Sequence, residues 1–281
     1  MTTNGDAEHP LGEYLRARRA LITPERAGIP AGPRRRVSGL RREEVAMLAG
    51  ISADYYLRLE RGRDANPSTQ VLEALARVLQ LDDVERRYLL DLAVGRARTR
   101  LRRRPVERVP ARLHALLATI GVPAFVEGRY FDVLAANPLA VALSPRLRPG
   151  ENRLRSLLLD PEEREFQADW ETATAGFVAG FRQSVGDYSD DPRLLELVGE
   201  LSVASARFRT LWARHDVREL VGGTTKVHHP VVGDLELHRD KLPIGDLLLV
   251  VYYADEASRS GEQLRLLASL GAPPVAEPLD R

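Results

Sequence analysis

Six histidines are the first candidates for chemistry, because an imidazole can bind a metal ion or transfer a proton near neutral pH. At His215-Asp216 and His228-His229 an imidazole stands next to a carboxylate or to a second imidazole along the chain. Neither place has two histidines one helical turn apart with a nearby glutamate, and the chain has no cysteine. The sequence therefore predicts no metal site, no catalytic residue and no cofactor.

Patterns typical of hydrolases and nucleotide-binding enzymes are also missing. The chain has no Gly-x-Ser-x-Gly turn of the kind that exposes a serine nucleophile. The segment Gly222–Lys226 resembles a phosphate-binding loop only superficially, because it lacks the Gly-Lys-Ser/Thr order. An enzymatic second half stays open as a weaker alternative to a binding domain.

The arginines offer a different chemistry, the recognition of phosphates and base edges by a charged, planar hydrogen-bond donor. Residues 1–108 contain 22 Arg against 15 Asp and Glu, a net charge of +7. The rest contains 19 Lys and Arg against 25 acids, a net charge of −6. A basic first part joined to an acidic second part favours phosphate binding at one end only. Chance segregation of solvated charge stays an alternative.

The elements that would position these arginines are short amphipathic helices. Residues 42–60 predict two helices that cross steeply, because Ala46 is small enough for the contact and Gly50 tolerates the positive φ of a tight turn. Ser52 is well placed to cap the second of these helices. Five apolar residues are expected to share one small core: Val45, Leu48, Ile51, Tyr56 and Leu59.

The chain is expected to contain two domains. Helical periodicity and capping signals divide residues 11–94 into five helices, and an arginine-rich stretch at 95–110 is expected to be a linker. Residues 111–270 mix strand and helix patterns, and 271–281 form a flexible tail. Strands are expected at 123–126, 131–135, 226–229, 234–239 and 247–254, and helices at 161–185, 191–214 and 258–270. No apolar run approaches the ~18 residues of a membrane span and no signal-peptide pattern is present, so the expected location is the cytoplasm.

Residues 11–94 resemble the phage-repressor-like Xre family of helix-turn-helix regulators. The resemblance rests on residues 42–60 and extends to Leu59-Glu60-Arg61-Gly62-Arg63 and Pro67-Ser68. It implies an all-α domain of five helices whose third helix enters the major groove of a double-stranded DNA operator. The candidate DNA-contacting residues are Ala53, Asp54, Tyr55 and Arg58 on the third helix, Ser52 at its cap, and Arg42 as a phosphate contact at the start of the second helix.

The chemistry of the third helix leaves alternatives open. Arg58 can pair with both acceptors of a guanine, which discriminates by about 1–3 kcal/mol. Asp54 can accept a hydrogen bond from a cytosine amine, or it can orient Arg58 or cap the helix. Tyr55 is expected to contact a phosphate or a thymine methyl group. Tyr56 is expected in the core, because it lies on the inward face.

The loop between the first two helices, residues 23–40, is longer than in the phage repressors. Arg34, Arg35 and Arg36 in this loop are expected to hold the DNA backbone beside the half-site. A solvated loop is the alternative. The arginines of the linker face the same choice, and solvation is the favoured interpretation for them.

The second part of the chain resembles the MmyB-like subfamily of Xre regulators. The matching stretches are residues 132–140, Asp169-Trp170-Glu171, Phe208 with 211–217, 229–233 and 249–252. The resemblance implies an α+β, PAS-like domain that binds a small apolar ligand, with a fatty acid as the leading suggestion. This chain has Ala136 where the family often has an aromatic residue before the asparagine.

The candidate ligand-binding residues are Val133, Asn137, Trp170, Phe177, Phe181, Phe208 and Trp212. Helical spacing places Trp170, Phe177 and Phe181 on one face, and Phe208 and Trp212 form an i, i+4 pair. Aromatic residues in such patterns more often fill a core than line a cavity. A ligand-free dimerisation module is therefore the alternative for this domain.

The two parts together predict a homodimer that responds to a ligand. A helix-turn-helix dimer binds a pseudo-palindromic operator with half-sites about one helical turn apart. A ligand changes that binding only if its affinity differs between the DNA-competent and incompetent states. Arg182 or Arg207 could meet a carboxylate on such a ligand, although a solvated or ion-paired arginine is the favoured interpretation.

Overall fold

The computed structural model describes residues 9–30, 35, 37–63, 66–95, 107–186, 191–219 and 221–271. The chain divides into two compact units: unit 1 contains residues 1–104 and 178–219, and unit 2 contains residues 105–177 and 220–281. Residues 178–219 thus group with the N-terminal part, whereas the sequence pattern predicts them in the second domain. The linker at 95–110 and the tail at 271–281 lie mostly outside the described residues, and their boundaries stay a prediction.

Unit 1 begins with a bundle of five α-helices, as the sequence predicts. They are α1 (Pro10–Leu21), α2 (Arg42–Ala49), α3 (Ala53–Glu60), α4 (Thr69–Val78) and α5 (Asp83–Gly95), with a short 3₁₀ helix at Glu25–Ala27. The side chains of His9, Ser52 and Ser68 cap α1, α3 and α4 by accepting a hydrogen bond from a first-turn amide. These helices begin where the sequence supplies an acceptor for amide groups that have no partner within the helix.

Small residues allow the helices of this bundle to cross closely. Gly50 has φ +70°, the left-handed conformation expected for the turn between α2 and α3. A Cβ on Gly12 would lie 2.4 Å from the carbonyl oxygen of Glu60, so α1 approaches the end of α3 closely. Ala46 is buried, as its small size predicts.

The core of the bundle confirms most of the apolar pattern around the turn. Val45, Tyr56 and Leu59 are fully buried, and the burial of an aliphatic side chain such as Val45 or Leu59 stabilises the fold by roughly 1.5–3 kcal/mol. Ile51 is partly buried against the same core. Leu48 is 40% exposed, so its predicted place in the core is wrong. The helix turns Val45 inward, and Leu48 lies at the edge of the inward face.

The other described helices of unit 1 come from the second half of the chain. They are the part of α10 (Trp170–Val185) from residue 178 onward, α11 (Pro192–Ala204) and α12 (Ala206–Ala213). After α12, Val217 joins the core of the α1–α5 bundle. Asp216 forms an ion pair with Arg18 at 3.0 Å. The segment after α12 is therefore attached to the bundle by both apolar and charged contacts.

Unit 2 contains a five-stranded antiparallel sheet. The strands are β1 (Ala124–Glu127), β2 (Val133–Ala136), β3 (Gly223–His229), β4 (Gly233–Ile244) and β5 (Leu247–Tyr253), in the order β2-β1-β5-β4-β3. Val250 in the central strand lies opposite Phe125 of β1 and Lys241 of β4. Directly opposed residues point to the same side of a sheet, so these three share one face.

Helices cover both faces of this sheet. The helices are α6 (Ala111–Thr119), α7 (Pro138–Leu143), α8 (Arg153–Leu159), α9 (Pro161–Phe166), the first half of α10 and α13 (Arg259–Gly271). Residues of α7 and α13 pack with Phe125, Leu237 and Val250. Residues of α6 pack with Val126 and Leu249 of the opposite face. This arrangement confirms the α+β class expected for the second part of the chain.

Two long helices expected from periodicity are each divided in the structure. The one expected at 161–185 breaks between α9 and α10, where Gln167 forms a β-bridge with Val227 and the Ala168 amide donates to the Lys226 carbonyl. The one expected at 191–214 breaks at Ser205, whose hydroxyl accepts a hydrogen bond from the Phe208 amide and starts α12. Backbone pairing and capping override the helical period at these points.

Candidate functional site

The first turn of α3 is exposed to solvent. The Ser52 hydroxyl accepts a hydrogen bond from the Tyr55 amide at 3.1 Å, which fixes the start of the helix. Ser52, Ala53 and Asp54 are exposed, whereas Tyr56 is fully buried, as predicted. The turn therefore presents its first residues outward while Tyr56 anchors the helix in the core.

Asp54 and Arg58 form an ion pair one helical turn apart on α3. The Arg58 guanidinium carbon also lies 5.4 Å from the centre of the Tyr55 ring. Both charged side chains are exposed, 75% for Asp54 and 45% for Arg58, so solvent screens the pair. Among the roles left open for Asp54, this contact supports the orientation of Arg58. A guanidinium has five N–H donors, so the pair leaves donors that can reach a guanine edge.

Arg42, the predicted phosphate contact, is held in place by a buried carboxylate. Its Nε donates to Glu60 Oε2 at 2.5 Å, and Glu60 Oε1 accepts from Arg19 Nε at 2.6 Å. The Glu60 side chain is completely buried, whereas that of Arg42 is 44% exposed. Sequence patterns missed this role of Glu60. The sequence could have indicated it, because Glu60 is an acidic residue on the same inward face of α3 as Tyr56 and Leu59.

Arg35 makes contacts within the protein. Its two terminal nitrogens donate to the two carboxylate oxygens of Glu44 at 2.8 and 2.6 Å, and one of them also donates to the Gly39 carbonyl at 2.7 Å. The Arg35 side chain is 13% exposed, so it ties the loop to α2. Its predicted phosphate contact stays a prediction. Arg34 and Arg36 lie outside the described residues.

Asn137 and Val133 are both buried in unit 2. The Asn137 carbonyl oxygen accepts from the amides of Ala124 and Ala140 at 3.1 and 2.9 Å. Its amide group donates to the carbonyls of Ile120 and Val122 at 3.1 and 2.7 Å. These four bonds use the whole hydrogen-bonding capacity of the side chain. Asn137 thus joins β1 to the start of α7, and a ligand contact by either residue stays a prediction.

The candidate aromatic residues divide between the two units. Trp170 and Phe177 belong to unit 2, where the Trp170 indole N–H donates to the Leu157 carbonyl at 2.7 Å. Phe177 packs edge-to-face on Phe131 with ring centres 5.7 Å apart. The predicted face of Trp170, Phe177 and Phe181 is therefore on one helix, but its members belong to different units.

Phe181, Phe208 and Trp212 belong to unit 1 and pack on one another. Trp212 stacks on Phe208 at 5.4 Å and meets Phe181 at 5.8 Å. Phe208 and Phe181 are fully buried, which is the arrangement of a packed core. Arg182 covers the same indole ring at 3.7 Å and donates to the Trp212 carbonyl at 2.6 Å. Arg182 is thus buried against this ring and not solvated, and its contact with a ligand carboxylate stays a prediction.

A buried charged cluster in unit 2 escaped the sequence patterns. Glu127 on β1, Arg153 on α8 and Lys241 on β4 are in direct contact, with N–O distances of 2.9 Å from Glu127 to each cation. All three are buried. The signal lay in β4, where the buried positions continue the alternation of Leu235 and Leu237 with a lysine.

Two family models match the chain. Residues 10–89 match a helix-turn-helix domain. Residues 109–267, more than half of the chain, match the MmyB-like transcription regulator ligand binding domain. The chain belongs to the MmyB-like transcription regulators. Among curated proteins, no sequence is similar enough to count as a match.

This MmyB-like regulator therefore joins a DNA-binding helix-turn-helix domain to a ligand-binding domain, as the sequence resemblance predicts. Both families are regulatory domains and neither is an enzyme family. Within the described ranges there is no group of three or more potential metal ligands. No helix in the described part of the chain is long and apolar enough to cross a membrane.

Proposed function

We propose that this MmyB-like regulator is a homodimer that binds a pseudo-palindromic operator and changes its affinity when it takes up a small apolar molecule. The effector class is fatty-acid-like, and the ligand-binding domain is PAS-like. Half-sites are about one helical turn apart, so that two copies of α3 enter successive major grooves. The protein acts in the cytoplasm of a bacterium, where operator DNA is accessible, and does not act as an enzyme.

The exposed ion pair of Asp54 and Arg58 on α3 is the observation that supports sequence-specific binding. It places a guanidinium on the first two turns of the helix that enters the groove, with its orientation set before DNA arrives. Arg42 stands at the start of α2, where a phosphate contact would fix the register of the protein on the duplex.

The family match over residues 109–267 supports the sensing of a small molecule. Aromatic side chains of unit 2 supply apolar contact area: Phe125 with Tyr252 on the sheet, and Phe131 with Phe177 of α10, have ring centres 6.3 and 5.7 Å apart. The competing proposal is a ligand-free dimerisation domain, because these same rings also serve as core packing.

Native mass spectrometry of the full-length protein, combined with organic extraction of the same sample, distinguishes the two proposals. The expected result is a dimer that carries a reproducible extra mass, released by extraction as an apolar compound. The purified compound should then change the affinity for an operator selected from random DNA. A dimer without added mass that also fails to bind a panel of C8–C18 fatty acids and alcohols contradicts sensing and supports the dimerisation domain.

A further inference from the structure

Helix α11 of unit 1 has one buried face and one exposed face. Leu194, Leu197 and Leu201 are buried and follow the period of a helix, so they form its inward side. On the opposite side Leu195 is 57% exposed and Val203 is 84% exposed. The helix thus presents two large apolar side chains to solvent on the face that points away from its core.

Gly199 lies at the centre of this exposed face, four residues after Leu195 and four residues before Val203. A glycine inside a helix destabilises it relative to alanine. Gly199 does not have the positive φ that would require a glycine, and a Cβ there would meet no heavy atom of the described chain within 4 Å. Packing within one chain therefore gives no reason for this glycine. The close approach of another helix backbone would give one.

A second copy of α11 fits this face. When two copies of the helix cross antiparallel at Gly199, residues equally far before and after the crossing point come together. Leu195 of each copy then packs beside Val203 of the other. Ridges of residues four apart lie in the matching grooves of the second helix, which is the commonest packing of helices in globular proteins. Each copy covers the apolar pair of the other, so the contact closes with two copies.

The charges beside this face are complementary in the same arrangement. Arg209 of α12 is exposed at the end of α11, where its Nη1 donates to the carbonyls of Ser202 and Val203 at 2.6 and 3.3 Å. Glu196 is exposed in the first half of α11. Crossing at Gly199 brings Glu196 of one copy to the level of Ser202 of the other, next to its Arg209. An antiparallel pair therefore forms this contact between opposite charges twice.

We propose that α11 is the interface of the homodimer and crosses its second copy antiparallel at Gly199. This inference rests on the proposed homodimer and adds to it the surface that the two copies share. Helix α11 belongs to the same unit as the helix-turn-helix, so the two DNA-binding domains are joined within unit 1. Leu195 and Val203 supply the apolar contact, and Glu196 with Arg209 sets the antiparallel direction.

Cysteine cross-linking of the full-length protein tests the crossing point, because the natural chain has no cysteine and each variant adds one. A disulfide needs two Cα atoms about 4.4–6.8 Å apart. G199C should form a covalent dimer under mild oxidation. E200C changes the next exposed residue, which points about 100° away around the helix, and should cross-link more slowly by about tenfold or more. Equal rates for the two variants contradict a crossing at Gly199.

Sedimentation velocity tests the apolar contact. L195E should raise the dissociation constant of the dimer about tenfold or more, because it buries an unpaired charge in the interface. L266E changes a leucine of α13 in unit 2 that is 52% exposed, and it should leave the dissociation constant as in wild type. An L195E protein as dimeric as wild type overturns α11 as the interface and leaves the homodimer standing.

The charged contact is tested by mixing two variants. E196R and R209E should each weaken the dimer, since each places like charges opposite one another at both contacts. An equimolar mixture should associate again, because every contact in the mixed dimer joins opposite charges. A change of fold within one chain cannot produce this recovery. A mixture that associates no better than its components contradicts the pairing. Wild type that is monomeric both free and on operator DNA contradicts the proposed homodimer itself.

Discussion

The buried carboxylate of Glu60 accepts a 2.5 Å hydrogen bond from Arg42 and so connects the end of α3 to the start of α2. The same carboxylate binds Arg19 of α1, so one acid joins three helices. The helix expected to read bases and the residue expected to contact phosphate are thereby fixed relative to each other. This geometry makes the stability of the helix-turn-helix depend on a side chain that is itself completely buried.

Replacing Glu60 tests this dependence. E60A leaves Arg19 buried without its counter-charge, and we expect the free energy of unfolding to fall by about 3 kcal/mol. Arg42 is half-exposed and contributes less of that loss. Urea unfolding followed by circular dichroism measures the change. E25A, which removes an exposed acid of unit 1, should change stability by less than about 0.5 kcal/mol. Equal effects of the two variants contradict the role of Glu60.

Arg58 is expected to carry sequence information. R58A should weaken operator binding by about 1–3 kcal/mol and relax the preference at one guanine position. Fluorescence anisotropy with the selected operator and with random DNA measures both affinities at one salt concentration. R61A, an exposed arginine just after α3, is the control for loss of charge alone. An equal loss on operator and random DNA refutes base reading by Arg58.

Asp54 is expected to act through Arg58. If it only orients the guanidinium, D54N combined with R58A should bind the operator no worse than R58A alone. If it accepts a hydrogen bond from a cytosine, the losses of operator affinity caused by D54N and by R58A should add. D54N should then also relax the base preference at a second base pair. The affinities of wild type, D54N, R58A and the double variant for operators changed at each position distinguish these two results.

Lys241 should titrate below an ordinary lysine in the ligand-free protein. Burial lowers its pKa, Glu127 opposes this, and the nearby Arg153 and Arg239 lower it further. The unfolded chain keeps the ordinary value of 10.5, so between the folded and unfolded pKa values the unfolded state binds more protons. The free energy of unfolding should therefore rise with pH through that window. NMR of the protein with ¹³Cε-labelled lysine, recorded across pH, measures the pKa, and a Lys241 signal that titrates at the ordinary value of 10.5 contradicts the prediction.

His215 should stay neutral well into the acidic range. Burial and the charges of Arg182, Arg16 and Arg18 lower its pKa from 6.5 to about 3. Below pH 6.5 the unfolded state binds the proton first, so the free energy of unfolding should fall as the pH drops from 6.5 toward 3. Proton NMR should show an imidazole signal, assigned with H215Q, that does not titrate near neutral pH.

The pH dependence of stability provides the control for His215. H215Q should reduce the loss of unfolding free energy between pH 6.5 and 3. H114Q, which changes an exposed histidine on α6, should leave that loss as in wild type. A loss unchanged in H215Q would falsify the assignment of the acid sensitivity to this residue.

The sequence by itself determined the features that depend on neighbouring residues. The positive φ of Gly50, the cap by Ser52, the burial of Tyr56 and the five-helix bundle follow from local sterics and the helical period. The strands of unit 2 were located for the same reason, because alternation and apolar runs are properties of the strand itself. Local rules failed where partners are distant, as at the β-bridge of Gln167 that divides a long predicted helix.

Only the tertiary structure decided which charges meet. Glu60 is separated from Arg19 by 41 residues, and Glu127 from Lys241 by 114. No period or spacing links such pairs, because contact between them is set by how helices and strands pack. The same packing decided that Arg35 ties a loop to α2, that Asn137 uses its side chain within the fold, and that Lys241 faces a buried aromatic site. The charged groups in the interior depend on these long-range contacts, because a charge removed from water destabilises the fold unless it is paired.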